Sequence, residues 1–224
     1  VARVAVRFET LDVDDATLAA LALIVDADER TRAACYRFAR DRRRFIVRRA
    51  RLRLALGAYL GVAPQALVFT ENVYGKPILP GGPHFSLSHA GDRMMLAVSD
   101  DDVGCDLERL DDELDWRPIA DGLFTPGECA ALAALVAPTA RRGFFACWTR
   151  KEAFVKALGL GLSYPLAAFD VSVGAQASLQ SGGEGWAIAA PPAPPGFTAA
   201  IVARDDGTPL IIEPLADPLH AVAA

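Results

Sequence analysis

Two short stretches hold residue types that could act together on one ligand. Gly104-Cys105-Asp106-Leu107-Glu108 sets two carboxylates one residue apart in an apolar, strand-like run. The run from Trp148 to Lys156 reads as helical and carries Lys151, Glu152 and Lys156 among apolar residues. Residues two apart on a strand share a face, so Asp106 and Glu108 would project together. Residues four apart on a helix also share a face, which pairs Glu152 with Lys156. Three carboxylates suit an oxygen-loving cation such as Mg²⁺, with Mn²⁺ as an alternative, whose other ligands come from water and phosphate. No histidine or cysteine clusters with these acids, which argues against zinc. Read alone, Asp106 and Glu108 fit a solvated acidic loop better than a metal site.

The helical run sharpens the choice. Phe144, Cys147, Lys151, Phe154 and Leu158 fall on one apolar row, and Phe145, Trp148, Glu152 and Val155 on the next. Lys151 interrupts the first row and Glu152 the second. A charge in an apolar row is costly unless it is paired or functional. Lys151 could snorkel to water; Glu152 has no comparably cheap structural reading.

Charge is unevenly spread. From Arg40 to Arg53 eight arginines stand against one aspartate, a local +7 in a chain of net charge −5, so the remainder carries −12. From Asp100 to Asp115 nine acidic residues stand against one arginine. This polarity suggests a ligand bearing both phosphates and a metal. Nucleic acid is the rival partner for the arginines. They lack interleaved aromatics, however, and the whole chain is acidic. One or two arginines on a ligand phosphate, with the others solvated, is the more economical reading. His89 adjoins Ser88 at a strand-to-turn position, where a structural role is the default. The missing G-x-S-x-G elbow argues against a Ser-His-acid hydrolase.

Several elements must position these groups. Val4, Val6 and Phe8 alternate as an edge strand would. Asp14 or Asp15 can cap a helix to about Val25, and Asp28 another to about Phe38. The arginine helix is expected from Asp41 to Leu60, stopped by Gly61 and Pro64. Leu67 to Phe69 reads as a short strand. Phe85 to His89 and Met94 to Ser99 flank a glycine turn as a hairpin, with Val103 to Leu107 the next strand. Thr125-Pro126-Gly127-Glu128 is a capping box for a helix to about Val136. Thr139 can cap the next helix, Ala140 to Leu158, stopped by Gly159. Strand-like pieces follow at Phe169 to Val173, Trp186 to Ala189, Phe197 to Ala203 and Leu210 to Ile212.

A faint repeat runs through this order. Arg93 to Asp101 aligns without gaps to Thr198 to Asp206, and a long helix ending in Leu-Gly precedes each copy. Continuing the alignment sets Glu213 against Glu108 and Ile211 against Asp106, so only one copy could bind metal. The expected fold class is α+β, in two pseudo-symmetric halves, each a long helix on a small antiparallel sheet. We place the boundary between residues 1–103, the basic-helix and nucleotide-binding half, and residues 104–224, the half with the metal carboxylates and catalytic helix.

At 224 residues and 52% hydrophobic content, the chain has ample core for one large domain or two small ones. No apolar run approaches the roughly 20 residues of a membrane helix, and Val1-Ala2-Arg3-Val4 lacks a secretory pattern, so a cytoplasmic location is expected. The missing initiator Met leads us to expect that residues have been removed ahead of Val1. Cys35, Cys105, Cys129 and Cys147 form no C-x-x-C pair and read as buried, reduced thiols.

Tyr74-Gly75-Lys76-Pro77, Phe85-Ser86-Leu87-Ser88-His89, the Gly104 to Glu108 run and the Trp148 to Lys156 run stand in the order and spacing of 4′-phosphopantetheinyl transferases. The resemblance covers about Arg40 to Phe169 and is closer to the longer type that activates peptide and polyketide synthases. It implies coenzyme A bound between the two halves, with Mg²⁺ on Asp106, Glu108 and Glu152. It implies Lys76, Pro77, Ser88 and His89 around the adenosine and 3′-phosphate, with Arg53 and, more loosely, Arg40 holding the same ligand. Lys151 and Lys156 would contact the diphosphate, and Glu152 and Lys156 would carry the catalysis. The implied partner is an apo acyl or peptidyl carrier protein, docking near Phe124 to Val136, with neither nucleic acid nor membrane involved and the enzyme a monomer. The alternatives are a non-catalytic relative that binds coenzyme A or a carrier protein, which the intact Asp106, Glu108, Glu152 and Lys156 count against, and a nucleic-acid-binding protein.

Overall fold

Alternating apolar residues at the start of the chain build strand β1 (Arg3–Thr10), with Val4 and Val6 buried. It is not an edge: in this computed structural model, which describes residues 2–216, β1 has a neighbour on both sides. Helices α1 (Asp15–Ala22) and α2 (Ala27–Ala34) follow. Asp14 caps α1, as its position suggests. Asp26, and not Asp28, caps α2, because Glu29 three residues on completes a capping box with it. The arginine helix α3 (Ala39–Leu60) starts two residues before Asp41 and ends at Gly61, whose φ of 67° is the left-handed conformation that stops a helix.

Leu67 to Phe69 is not a strand. The pairing lies just beyond, between β2 (Thr70–Glu71) and β3 (Pro77–Ile78). The expected hairpin forms from β4 (His84–Ala90) and β5 (Arg93–Ser99) around Gly91 and Asp92, and β6 (Val103–Arg109) follows. The second half opens with α4 (Arg117–Leu123) and α5 (Pro126–Ala133), the latter capped by the Thr125–Glu128 box. Helix α6 (Ala137–Leu158) starts three residues before Ala140, because Pro138 fits a first helical turn and leaves Thr139 inside it. Then come β7 (Asp170–Val171), β8 (Leu179–Ser181), β9 (Trp186–Ala189), β10 (Phe197–Arg204) and β11 (Ile211–Pro214). Strand β8 lies in a segment with no alternation to announce it.

The sheets run β11-β1-β5-β4 and β6-β10-β9. Even-numbered residues of β5, Met94, Leu96 and Val98, pack under α3 with Leu52 and Leu56. On β10, Ala200 and Val202 pack under α6 with Phe144, Phe154 and Ala157. The opposite faces, Met95 and Ala97 of β5 with Cys105, Leu107 and Ile201, meet in a third core. The layers are therefore helix, sheet, sheet, helix, an α+β arrangement of two halves each led by a 22-residue helix. The repeat corresponds to α3 with β5 and α6 with β10. The four cysteines are free; Cys105 and Cys147 are buried, whereas Cys35 is exposed and Cys129 half-buried, so the buried-thiol expectation holds for two of them.

Candidate active site

Strand β6 lies directly on α6. A Cβ on Gly104 would sit 2.0 Å from the Ala153 carbonyl oxygen and 2.3 Å from the Ala157 nitrogen, so only glycine permits this approach. The next residues on that face, Asp106 and Glu108, are thereby brought against the helix stripe Trp148, Glu152 and Lys156. Asp106 Oδ1 accepts from Lys156 Nζ at 2.5 Å and from Ser88 Oγ at 2.7 Å. Lys156 Nζ also donates to Ser88 Oγ at 3.1 Å. Glu108 Oε1 accepts from Trp148 Nε1 at 3.1 Å.

The carboxylates crowd one another. Burial pushes the Glu108 carboxyl up to about 7, the Asp106 charge adds to this, and Trp148 and Lys156 oppose it. Burial also raises Glu152, with Lys156 opposing and Asp106 adding. Burial works against the Lys156 charge, yet Asp106, with Cys105 and Glu152, more than offsets it and the pKa is raised. Asp106 Oδ2 is buried with no hydrogen-bond partner among the described residues. A buried carboxylate oxygen without a donor, beside two carboxyls whose ionisation is disfavoured, is an environment that a cation would complete. Asp106, Glu108 and Glu152 thus fit a hard divalent ion. Their ligand atoms are more widely spaced than those of His84, Asp101 and Asp102, which among the described residues all lie within 4.8 Å of one another. In that second cluster His84 and Asp101 are exposed, and the half-buried Asp102 is already paired with His84 and Arg204.

A trough leads away from Lys156. A cavity of about 230 Å³ is lined by Lys156, Lys76, Pro77, Tyr74 and Ser86, among others. It shares Gly75, Pro77 and Leu87 with a cavity of about 430 Å³ whose walls include Arg32, Arg48, Arg49 and His89. A third, of about 360 Å³, adds Arg40 and Arg44 and shares Arg48 and His89 with the second. The carboxylates do not line these cavities; Lys156 is the link between the two regions. Arg48 Nη1 lies 2.9 Å from His89 Nδ1. Desolvation, then the charges of Arg48, Lys156 and Arg44, push His89 down to about 4.

Not every expected ligand residue reaches the trough. Arg53 is wholly buried, donating to Glu29 Oε2 at 2.7 Å, to the Leu67 and Pro64 carbonyls and to Asp26, so its donors are turned inward and it does not face a ligand. Lys151 is equally enclosed, bonded to the Leu166 and Phe169 carbonyls at 2.7 Å and paired with Glu128 at 2.8 Å, and does not meet a diphosphate. Ser88 turns to Asp106 and Lys156 instead of the arginine cavity. Lys76 lines the trough, but its ammonium donates to the Lys156 carbonyl at 2.7 Å and the Val103 carbonyl at 3.1 Å, clamping the end of α6 to the start of β6. Arg40 is exposed beside Asp41. Sequence reasoning missed Arg32, Arg48 and Arg49. For the last two a signal existed: they stand three and four residues after buried Phe45, on its side of the helix.

The geometry can be set beside known proteins. Residues 102–189 match the model of the 4′-phosphopantetheinyl transferase superfamily. The chain is 38% identical over 159 residues to the 4′-phosphopantetheinyl transferase HetI of Nostoc sp., covering 68% of this chain and 67% of that one. It is 32% identical over 182 residues to the 4′-phosphopantetheinyl transferase psf-1 of Bacillus pumilus, covering 79% and 77%. A 4′-phosphopantetheinyl transferase of Bacillus subtilis is 32% identical over 149 residues, 66% of each chain. With relatives more than 30% identical matched over two thirds or more of their length, the chain belongs to the 4′-phosphopantetheinyl transferase superfamily.

Proposed function

We propose that this enzyme moves 4′-phosphopantetheine from coenzyme A to a serine of an apo acyl or peptidyl carrier protein, in a Mg²⁺-dependent reaction. The observation that carries the metal reading is the unpartnered, buried Asp106 Oδ2 beside Glu108 and Glu152. The serine oxygen attacks the β-phosphorus of the diphosphate. The bond from that phosphorus to the bridging oxygen breaks, and adenosine 3′,5′-bisphosphate leaves. Glu152, whose pKa burial raises, takes the serine proton directly or through water. Lys156, kept charged by Asp106, faces the diphosphate and stabilises negative charge on the leaving phosphate. The cation, held by Asp106, Glu108 and Glu152, would supply further charge neutralisation at the diphosphate.

The trough supports a pose in which the nucleotide lies among Arg48, His89 and Pro77, and the diphosphate near Lys156. The division into residues 1–103 for the nucleotide and 104–224 for the carboxylates is part of this proposal, supported by the pairing of β6 with β10. A single functional cleft and a monomeric enzyme follow, because Ile211 stands where the second copy would need a carboxylate. The carrier would dock beside α5, where Leu123 and Val136 are exposed while Phe124 and Leu132 belong to the core. Incubating apo acyl and peptidyl carriers with enzyme and coenzyme A, with Mg²⁺ or with chelator, tests the proposal by intact-protein mass. One phosphopantetheine on one serine, only with Mg²⁺, is expected. Unmodified carriers throughout would overturn the activity; equal modification in chelator would overturn the metal.

A further inference from the structure

The loop between β2 and β3, residues 72–76, is folded around one side chain. Asn72 Oδ1 accepts from the Tyr74 and Lys76 backbone N–H groups, each at 2.9 Å. The Asn72 N–H donates to the Lys76 carbonyl and the Gly75 N–H to the Asn72 carbonyl, again at 2.9 Å, while Gly75 takes a φ of 83°. With its oxygen facing two N–H groups, the amide has one orientation. Its Nδ2 then points to the other half of the molecule and donates to the Gly159 carbonyl at 2.7 Å. That carbonyl follows the last residue of α6. The final carbonyls of a helix have no partner within it. Here Lys76 Nζ takes the Lys156 carbonyl and Asn72 the Gly159 carbonyl, so one loop supplies both donors. The approach is close: Gly159 is buried with a φ of 70°, and a Cβ on it would sit 3.1 Å from Asn72 Nδ2.

Gly159 lies three residues beyond Lys156, less than one helical turn. Tyr74, Gly75 and Lys76 of the loop line the 230 Å³ cavity together with Lys156 and Gly159. One amide therefore ties a wall of the trough to the helix turn that carries Lys156. Lys76 spans the same gap, but on a long, flexible stem; the short Asn72 amide is held at both its oxygen and its nitrogen. We propose that Asn72 is a positioning residue for phosphoryl transfer: Oδ1 sets the loop, and Nδ2 fixes the separation between that loop and Lys156. This rests on the proposed reading of the trough, in which the coenzyme's diphosphate lies near Lys156.

Substitution can separate the two ends of the amide. Asn72→Asp keeps an acceptor for Tyr74 and Lys76 but replaces the donor with an oxygen, which the Gly159 carbonyl and the negative end of α6 repel. Asn72→Ala removes both. A displaced Lys156 harms alignment in the transition state more than binding in the ground state. Asn72→Asp should therefore lower kcat for carrier modification by roughly tenfold or more. Its calorimetric affinity for coenzyme A should stay within about threefold of wild type, because the loop keeps its own bonds. Asn72→Ala should lower kcat similarly and also weaken that affinity. Asp14→Ala removes the cap of α1 and touches neither the loop nor α6, so it controls for lost stability alone and should turn over like wild type. Thermal melting shows which variants are folded; if Asn72→Ala is not, Asn72→Asp decides the matter. A folded Asn72→Asp protein with wild-type kcat, or a fall that Asp14→Ala reproduces, would overturn the inference. So would weaker coenzyme A binding with an unchanged kcat at saturation, since Asn72 would then serve binding alone. A wild-type protein that binds coenzyme A but modifies no carrier would overturn the proposed function, and this inference with it.

Discussion

Lys151 sits among apolar residues of α6 with no part of its side chain exposed, and its charge is balanced by Glu128 from α5. Breaking such a buried pair leaves the other charge stranded, at about 3–5 kcal/mol. Lys151→Met should therefore lower unfolding free energy in urea by about that amount while leaving the KM for coenzyme A near wild type. A large KM change without loss of stability would return Lys151 to the ligand. The interruption of an apolar row was visible in the sequence, but the partner that explains it stands 23 positions away in another helix. Arg53 and Glu29 teach the same lesson: periodicity tells that a charge faces inward, and only tertiary packing tells whether an acid awaits it. Asp106, Glu108, Glu152 and Lys156 were legible because strand and helix periods alone place them on common faces. Glu108 supplies a second prediction at this scale. Its carboxyl lies at about 7 when folded against an ordinary 4.5. Between those values the folded chain holds a proton that the unfolded chain releases, so stability of metal-free protein should fall as pH rises through that window. Mg²⁺ bound to the ionised carboxylate should reduce the decline. Thermal melts across this range that Mg²⁺ leaves unchanged would count against Glu108 as a ligand.

Elements succeed or fail here by their ends and their contacts. Helices α3 and α6 were legible because arginine-rich and aromatic faces repeat over 22 residues and a glycine closes each. Their starts were less so, since neither Phe38 nor Val136 makes a side-chain cap. Strand β1 looked like an edge because alternation reports only which face is buried. That β11 would return to pair with it, Arg3 opposite Ile211, is a contact across the whole chain. The approach of β6 to α6 makes the clearest prediction at this scale. Gly104→Ala places a methyl into the backbone of α6, a clash no side-chain rotation relieves. Overpacking of this kind costs about 1–3 kcal/mol or more, and any relief by sliding the helix would move Lys156 from Asp106. Urea unfolding should show the loss, with turnover falling in the protein that remains folded. Wild-type stability and turnover together would refute the packing argument.

The molecule as a whole is two similar halves, and Lys76 and Asn72 fasten them: Lys76 Nζ to the Lys156 carbonyl, Asn72 Nδ2 to the Gly159 carbonyl at 2.7 Å. On the proposed reading the first supplies the arginine trough, the second the carboxylates, and only one cleft is equipped. Titration calorimetry should accordingly give one coenzyme A per chain, and two would show that the mirror-image cleft binds as well. In the proposed reaction Asp106, through its unpartnered oxygen, helps hold the cation on which transfer depends. Asp106→Asn keeps the size of the side chain and replaces the carboxylate. The direct measurement is its rate of carrier modification across a Mg²⁺ titration, beside wild type, with thermal melting to show that it is folded. A loss of roughly a hundredfold or more in kcat/KM is expected, which added Mg²⁺ recovers only in part. A folded Asp106→Asn protein that turns over like wild type at the same Mg²⁺ would contradict it.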